Sequence, residues 1–255
     1  MARPRRKNSW KTVAIILVIG ILGYAGYLLY QKIPVSEPAP ETAPVTSEAP
    51  DKAVVTAVTK KIVEEEKQFE INVAYPELKG LPKAIATRAN KTLKDTVDAA
   101  INSFKEHSVA EPGVLVPEKS ALDITFDPAL TLTDKTVTVV FTVSDYFGGA
   151  AHPNTYKMPV TISQTTGLRM KTADFFKADT KYLQALAEQS SRELKAKLGD
   201  EFEASGATPT EENYEHVYLT ESAVMVIFNP YQVAPYAAGI IEIKIPKKEL
   251  PGLLQ

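Results

Sequence analysis

Residues 67–104 read KQFEINVAYPELKGLPKAIATRANKTLKDTVDAAINSF and place two different hydrophobic periods side by side. In residues 67–75, apolar side chains occupy every second position, which predicts a half-buried β-strand ended by Pro76. In residues 83–104, directly after Pro82, apolar side chains recur every three or four positions, which predicts an amphipathic helix. The apolar stripe of this helix consists of Ile85, Ala89, Leu93, Val97, Ile101 and Phe104. A strand followed at once by a helix is the first indication of a mixed fold.

Six further strands are predicted downstream from short apolar or alternating stretches. Asp134-Lys135 falls between the first two stretches and predicts a hairpin, while Pro128 indicates that the first of them is an edge strand or contains a bulge. Thr166-Gly167 is a turn signal after the third stretch. The six stretches are residues 122–126, 137–143, 157–163, 215–219, 223–228 and 240–245.

A second helix is predicted from Asp179, whose side chain can cap its N-terminus, to Leu198, with Gly199 as its stop. A short closing helix is predicted at residues 247–254, after Pro246. The residues of the second helix that face inward are Leu183, Leu186, Leu194 and Leu198. Because strands and helices mix without strict βαβ alternation, the sequence predicts an α+β fold with a largely antiparallel sheet and two main helices.

The N-terminal segment has the pattern of a membrane anchor. Residues 12–30 carry no charge, and as a helix they would span roughly 28 Å, close to the thickness of the hydrocarbon core. Five cations precede this run, so the positive-inside rule predicts that residues 1–11 lie in the cytoplasm and the remainder outside the cell membrane. A cleaved signal peptide is the alternative; its apolar region is usually shorter, and the run ends in the poor cleavage site Leu28-Leu29-Tyr30.

Composition divides the rest of the chain. Residues 31–55 are rich in proline and acidic residues, which predicts an extended linker. Residues 56–115 are interpreted as a first α+β module and residues 116–255 as a second module packed against it. Six of the 29 cations lie in the first 32 residues, which leaves 23 cations against 31 acidic residues. This acidic excess argues against a nucleic-acid partner. The glutamates at residues 64–66 are interpreted as a solvated run.

Motifs for catalysis and metal binding are missing from the sequence. The chain has no cysteine, which excludes disulfides, thiolate metal sites and a lipidated cysteine. His107, His152 and His216 do not have the spacing of metal ligands, and neither a GxSxG elbow nor a GxxxxGK[ST] loop occurs. A triad of Ser144, Asp145 and His152 is conceivable but has no support from spacing. We therefore predict no catalytic residue, metal or cofactor.

Two loops are candidates for binding. Residues 145–155 contain paired glycines and a His-Pro-Asn sequence, and residues 228–239 contain two prolines, a glycine and two tyrosines. Both loops have two open interpretations, a rigid strand connection or a recognition surface. In the first loop the His152 ring can also lock the turn by donating to a backbone carbonyl. The candidate binding residues are Tyr146, Gly148, Gly149, His152, Pro153, Asn154, Tyr231 and Tyr236.

Three stretches resemble a bacterial extracytoplasmic domain family of unknown function. They are YFGGAAHPNTY at residues 146–156, TTGLRMKTADFF at 165–176 and VYLTESAVMVIFNPYQVAPYAAGIIEIKIP at 217–246. The stretch FEINVAYPELKGLP at residues 69–82 is similar to the module that precedes them in this family. The family is found in RsiV-type anti-sigma factors and N-terminal to some peptidoglycan deacetylases. The glycine loop here contains one alanine more than the common GGAHPN pattern.

The resemblance implies a stand-alone, membrane-anchored binding or sensing module of the bacterial cell envelope, without enzymatic activity. Its expected ligand is a lysozyme-like protein or peptidoglycan. The short N-terminal segment leaves no room for a sigma-factor-binding domain, and no deacetylase domain is expected after the second module. The alternatives are a hydrolase that acts on the cell wall and a structural partner of another membrane protein.

Overall fold

The computed structural model describes residues 55–108 and 118–255, which form two β-sheets and two α-helices. The first sheet contains β1 (Thr56–Glu65), β2 (Phe69–Lys79), β3 (Ser120–Phe126), β4 (Thr131–Leu132), β5 (Thr136–Tyr146), β6 (Asn154–Ser163) and β7 (Arg169–Met170). The second sheet contains β8 (Val217–Leu219), β9 (Ala223–Phe228) and β10 (Ile241–Pro246). The helices are α1 (Lys83–Ser108) and α2 (Tyr182–Leu198). The predicted α+β class, with two main helices and largely antiparallel sheets, is confirmed.

The first sheet has the strand order β1-β2-β3-β5-β6-β7, and β4 pairs with β5. All neighbours are antiparallel except β2 and β3, which are parallel. The parallel pair forms because α1 lies between these strands along the chain and carries it back across the sheet, as a parallel connection requires. The buried face of α1 packs on β2 and includes five residues of the predicted stripe. These residues are Ala89, Leu93, Val97, Ile101 and Phe104.

The second sheet has the order β10-β9-β8, and α2 packs against β10. Gly199 ends α2 as predicted, with a φ of 57° and an N–H bond to the carbonyl of Lys195. Leu186 and Leu194 are fully buried in the core beneath α2. Two separate hydrophobic cores result, one formed within residues 55–162 and the other within residues 175–250.

Two predictions based on proline are wrong. Strand β2 continues through Pro76 to Lys79, because β3 pairs with β2 only as far as Val73 and leaves that side of the strand open. A missing N–H is tolerated there, since no ladder bond is interrupted. Strand β3 is neither an edge strand nor bulged, since it lies between β2 and β5, and Pro128 follows its end at Phe126.

The prediction that Asp179 caps α2 is also wrong. The helix begins at Tyr182, and its N-cap, Lys181, makes no capping bond through its side chain. Asp179 instead has a φ of 58°, a left-handed conformation that aspartate adopts more readily than most residues. Other boundaries differ by a few residues; for example, the strand expected at residues 215–219 begins at Val217, and the one expected at 157–163 begins at Asn154. In place of the closing helix, residues 247–254 contain a short 3-10 turn, Lys247–Glu249.

Strand β1 has no counterpart among the strands predicted from the sequence. Its sequence, TAVTKKIVEE, puts polar and apolar residues together in pairs, so the alternation expected of a strand is broken. The glutamate run interpreted as solvated therefore begins inside this strand. Glu64 is bound to Lys105 of α1 at 2.5 Å, and Glu65 to Lys119 at 3.1 Å.

The predicted membrane span at residues 12–30 and the cytoplasmic segment before it lie outside the described residues, as does the linker except for Val55, which is buried in the first core. Within residues 55–108 and 118–255, no helix is both long and apolar enough to cross a bilayer. The division into modules at residue 116 stays a prediction.

Candidate functional site

The two candidate loops meet on the surface and bring three aromatic rings together. The imidazole of His152 stacks on the ring of Tyr236, with centroids 3.9 Å apart and planes inclined by 23°. Tyr231 lies 5.4 Å from Tyr236 between ring centroids, and its hydroxyl is 3.3 Å from Nε2 of His152. We call these three residues the aromatic patch.

The glycine loop after β5 presents His152. The N–H of Ala150 donates to the carbonyl of Phe147 at 2.8 Å, and Gly149 takes a φ of 87°. This conformation is easily adopted only by glycine. Nδ1 of His152 lies 2.9 Å from the carbonyl oxygen of Pro153, which is the turn-locking contact predicted for the ring. A proton on Nδ1 satisfies this contact and leaves Nε2 free to accept from the Tyr231 hydroxyl.

Tyr236 holds the two loops together. Its hydroxyl donates to the carbonyl oxygen of Pro153 at 2.9 Å, while its ring covers His152. The carbonyl of Pro153 therefore accepts from two directions, once from the imidazole and once from the phenol. The hydroxyl of Tyr236 is held by a hydrogen bond and the face of its ring by a stacking contact, so the orientation of the ring is fixed by two contacts.

Tyr231 sits in a tight turn at an unusual backbone angle. The N–H of Gln232 donates to the carbonyl of Asn229 at 3.1 Å, which makes Pro230 and Tyr231 the central residues of a β-turn. Tyr231 has a φ of 68°, although glycine or asparagine normally occupies this position. The residue is 57% exposed. A left-handed tyrosine costs roughly 1–2 kcal/mol, so the surrounding contacts must maintain it.

Gln232 supplies contacts that maintain this turn. Its side-chain amide donates to the carbonyls of Gly206 and Asn213, at 3.1 and 3.0 Å, and its Oε1 accepts from the N–H of Asn229 at 3.3 Å. The turn also lies so close to Gly206 that a Cβ there would be 1.6 Å from the backbone oxygen of Gln232. The turn is thus clamped against the loop that follows α2.

Asn229 connects the turn to the first sheet. Its Oδ1 accepts from the N–H of Lys157 at 2.8 Å, and its Nδ2 donates to the carbonyl of the same residue at 3.1 Å. The side chain of Lys157 then reaches Glu242 of β10 at 2.5 Å. The side chain of Asn229 thus bonds to the backbone of β6 as a neighbouring strand would. It links the turn after β9 to the first sheet.

Four other candidate residues shape the glycine loop and have no described contact with the three rings: Tyr146, Gly148, Gly149 and Asn154. The hydroxyl of Tyr146 donates to the carboxylate of Glu118, and the N–H of Gly148 donates to Oγ of Ser120 at 3.1 Å. Nδ2 of Asn154 donates to Oδ2 of Asp145 at 3.3 Å. The patch therefore includes three of the eight predicted residues, with Pro153 as the shared acceptor beneath them.

Asp145 is the perturbed acid nearest to the patch. Burial raises its pKa to about 6, and the hydrogen bond from Asn154 opposes that rise only in part. Burial also raises the pKa of Tyr156, and the charge of Asp145 adds to that effect. The carboxyl of Asp145 is therefore costly to ionise in the folded protein.

The groups considered for a triad are bound to other partners. Oγ of Ser144 is 3.0 Å from Oγ1 of Thr155, Asp145 accepts from Asn154, and His152 contacts Pro153 and Tyr231. Across the described residues, no group of three or more acidic or histidine side chains is arranged to hold a metal ion. What the patch offers is a flat, partly exposed aromatic surface with a hydroxyl on its rim, a combination suited to stacking and hydrogen bonding.

Some residues that build the site are not among those predicted from the sequence. Asn229 stands in an Asn-Pro pair, which is a turn signal but gives no sign of the two bonds to Lys157. Gln232 and Gly206 carried no signal, because their importance comes from a contact between distant loops.

Comparison with known proteins gives a match to one family model and to one bacterial enzyme. Residues 173–248 match the model of DUF3298, described as a protein of unknown function, and this range contains Tyr231 and Tyr236. The peptidoglycan-N-acetylmuramic acid deacetylase PdaC of Bacillus subtilis is 23% identical over 259 residues. That alignment covers 100% of this chain and 52% of the deacetylase, so the chain spans about half the length of this relative.

Two crystal structures of DUF3298 family proteins have a similar fold. The protein from Bacteroides fragilis has a TM-score of 0.57 at 18% identity, over 81% of this chain and 96% of its own. The protein from Pseudomonas aeruginosa has a TM-score of 0.51 at 15% identity, over 80% and 95%. The expected resemblance to a family of unknown function is confirmed for residues 173–248, and the chain is also similar to a peptidoglycan deacetylase. The RsiV-type relation stays a prediction.

Proposed function

We propose that this chain binds the glycan strands of peptidoglycan through the aromatic patch, as a binding or sensing module without catalytic activity. We further propose that residues 12–30 anchor it in the cell membrane, with the described domain outside the cell. An RsiV-type role, in which occupancy of the domain is sensed, belongs to the same proposal.

The observation that carries the proposal is the exposed, left-handed Tyr231. A tyrosine that is 57% exposed gains little from burial, yet its backbone is held in a costly conformation by Asn229 and Gln232. Strain of this kind is concentrated at functional sites, where it fixes a side chain in advance of binding. Stacked rings offer the apolar C–H face of a sugar a preorganised surface, and the hydroxyl of Tyr231 lies where it can reach a sugar hydroxyl.

The comparison supports the choice of ligand. PdaC is described as acting on peptidoglycan N-acetylmuramic acid, and this chain aligns with about half of it. In such an enzyme, one region would bind the glycan while a separate region carries out the deacetylation. For this chain we propose the binding part alone.

Sedimentation with purified peptidoglycan tests this function. The full-length chain, purified in detergent, is expected to pellet with insoluble sacculi. Tyr231→Ala removes a stacking ring and is expected to lower the affinity roughly tenfold, since loss of one aromatic platform costs on the order of 1–2 kcal/mol. Tyr146→Ala is the matched control, because this tyrosine lies in the same loop region but contacts Glu118.

The two variants separate a patch-specific interaction from general adhesion. Unchanged pelleting of the Tyr146→Ala protein, together with the loss for Tyr231→Ala, supports the proposal. Equal pelleting of all three proteins, or no pelleting of the unmodified chain, contradicts it.

A basic, lysozyme-like protein is the second candidate ligand. The observation in its favour is the excess of acidic over basic residues after residue 32, which attracts a cationic partner. Binding to such a protein is expected to weaken steeply with salt, whereas stacking on a neutral glycan depends little on ionic strength. Titration of each ligand at low and high salt distinguishes the two candidates.

A further inference from the structure

Strand β1 is the outer strand of the first sheet in the described part of the chain. It pairs with β2 in one unbroken register, from Thr56 opposite Lys79 to Glu65 opposite Glu70. Within β1 there is no proline, and the register contains no bulge that would turn the strand away. Such an edge leaves backbone donors and acceptors available for another strand.

The backbone groups that point outward can be identified. The N–H of Glu66 donates to the carbonyl of Phe69, which makes these two residues a hydrogen-bonded pair at the hairpin end. Because hydrogen-bonded and non-bonded pairs alternate along an antiparallel ladder, Thr59, Lys61 and Val63 direct their N–H and C=O groups away from β2. Pro76 agrees with this assignment, since it lies opposite Thr59, where no N–H is needed.

The side chains on this edge do not fit a purely solvated strand. Val63 is 70% exposed and Val58 is 47% exposed, and together with Tyr231 they are the exposed large hydrophobic residues of the described chain. Lys61 and Glu65 stand two residues before and after Val63 and share its face of the sheet. An apolar centre is thus flanked by opposite charges at equal distances.

This arrangement is complementary to itself. When two antiparallel copies of β1 are related by a twofold axis at Val63, the two Val63 side chains face each other. Lys61 of each copy then lies opposite Glu65 of the other. On the other face of the sheet, Lys60, which binds Glu77 of its own chain at 2.7 Å, lies opposite Glu66 of the second copy. Each cross-strand pair of opposite charges or apolar groups contributes roughly 0.2–1 kcal/mol.

We propose that two copies of this chain associate through β1, which joins their first sheets into one continuous sheet across a twofold axis at Val63. Backbone hydrogen bonds from the outward-facing residues provide the attraction, and the Lys–Glu pattern selects the antiparallel register. The surface lies on the first sheet, whereas Tyr231 and Tyr236 follow β9 of the second sheet, so the association does not depend on the proposed glycan binding.

Cysteine cross-linking tests the register directly, because the chain contains no cysteine of its own. In the proposed pairing, the Cα atoms of the two copies of residue 63 are roughly 5.5 Å apart, within the range of a disulfide. Val63→Cys is therefore expected to give a disulfide-linked dimer on mild oxidation of the full-length protein. Thr59→Cys is the matched control: it has the same outward orientation, but its two copies are roughly 27 Å apart.

Charge reversal tests the pairing without a covalent bond. Lys61→Glu places like charges opposite each other at two symmetric positions and is expected to weaken the dimer about tenfold, measured by sedimentation equilibrium in detergent. The double variant Lys61→Glu/Glu65→Lys restores opposite charges and is expected to recover the dimer. A monomeric unmodified chain, equal cross-linking at positions 59 and 63, or no recovery in the double variant would overturn the proposal.

Discussion

The imidazole of His152 lies face to face with the phenol of Tyr236, at 3.9 Å between centroids, although the two residues follow strands of different sheets. This stack closes the gap between the glycine loop and the turn after β9. The aromatic patch therefore exists only when both sheets are folded and docked. Binding and the integrity of the contact between the sheets are expected to change together.

The stack gives a first prediction. His152→Phe keeps a flat ring beside Tyr236 but loses the contacts with Pro153 and Tyr231, whereas His152→Ala loses the ring as well. We expect the phenylalanine variant to retain most of the affinity for peptidoglycan, and the alanine variant to lose roughly tenfold, because an aromatic pair contributes about 0.5–1.5 kcal/mol. Sedimentation with sacculi measures both. Equal losses in the two variants would show that the imidazole nitrogens matter more than the stack.

The backbone of Tyr231 allows stability to be separated from binding. Tyr231→Gly removes the strain at a φ of 68° and is expected to raise the free energy of unfolding by about 1 kcal/mol, while it weakens glycan binding. Asp179→Gly is a matched control, since Asp179 also has a left-handed φ, of 58°, but contributes nothing to the patch. We expect it to be stabilising with unchanged binding. Urea unfolding and sedimentation report the two properties, and reduced stability of Tyr231→Gly would contradict the strain.

Asn229 gives a third prediction, because it uses both ends of its amide on Lys157. Asn229→Asp keeps the acceptor for the N–H of Lys157 but presents a second oxygen to its carbonyl. We expect a loss of about 1–3 kcal/mol in the free energy of unfolding, from the lost bond and the unsatisfied carbonyl. Asn102→Asp is a suitable comparison, since Asn102 is an exposed residue of α1. Similar losses in both variants would argue against a special role for the link to β6.

The raised pKa of Asp145 predicts a pH dependence with a definite sign. Its folded-state pKa of about 6 exceeds the ordinary value of 3.8, so the folded protein holds this proton more tightly than the unfolded chain does. Stability is therefore lost as the pH rises from about 4 to about 6. Asp145→Asn keeps an acceptor for Asn154 and removes this cost, which we expect to stabilise the protein by on the order of 2 kcal/mol at pH 7.5.

Urea unfolding at pH 4 and pH 7.5 tests that prediction. The asparagine variant and the unmodified protein should be nearly equal at pH 4 and differ at pH 7.5. The comparison between the two proteins is needed because other groups also titrate: burial raises the pKa of Glu215 to about 7 and lowers that of His216 to about 4. A difference that is the same at both pH values would rule out the titration of Asp145 as its source.

Sequence periodicity predicts the elements of this fold well where one face is buried and the other exposed. The stripe of α1 and the alternation in the strand Ser120–Phe126 follow from local pattern alone. Strand β1 does not, because an edge strand is partly solvated on both faces and so lacks alternation. Pro76 leads to a wrong strand end for a related reason. A strand tolerates a residue without an N–H where no neighbouring strand needs that donor, and the sequence of one strand does not show where its neighbours end.

For the candidate site, too, some features have a local signal in the sequence and others depend on the fold. His152, Tyr231 and Tyr236 could be chosen from loop composition, because prolines, glycines and tyrosines carry a local signal. Their mutual contact could not be predicted, nor could the contributions of Gln232 and Gly206. Those depend on hydrogen bonds and a close approach between the turn and a loop from another part of the chain.

The parallel pairing of β2 with β3 has a consequence for the order in which the domain assembles. The hairpins β1–β2 and β5–β6 join residues that are near in sequence, whereas Phe69 meets Ser120 only across a loop of about 50 residues. Closing that loop carries the larger entropic cost, so β3 is inserted late and sets the rate at which the first core forms. During synthesis, β2 and α1 can pack on each other early, but the side of β2 that pairs with β3 stays open until the chain has emerged past β3.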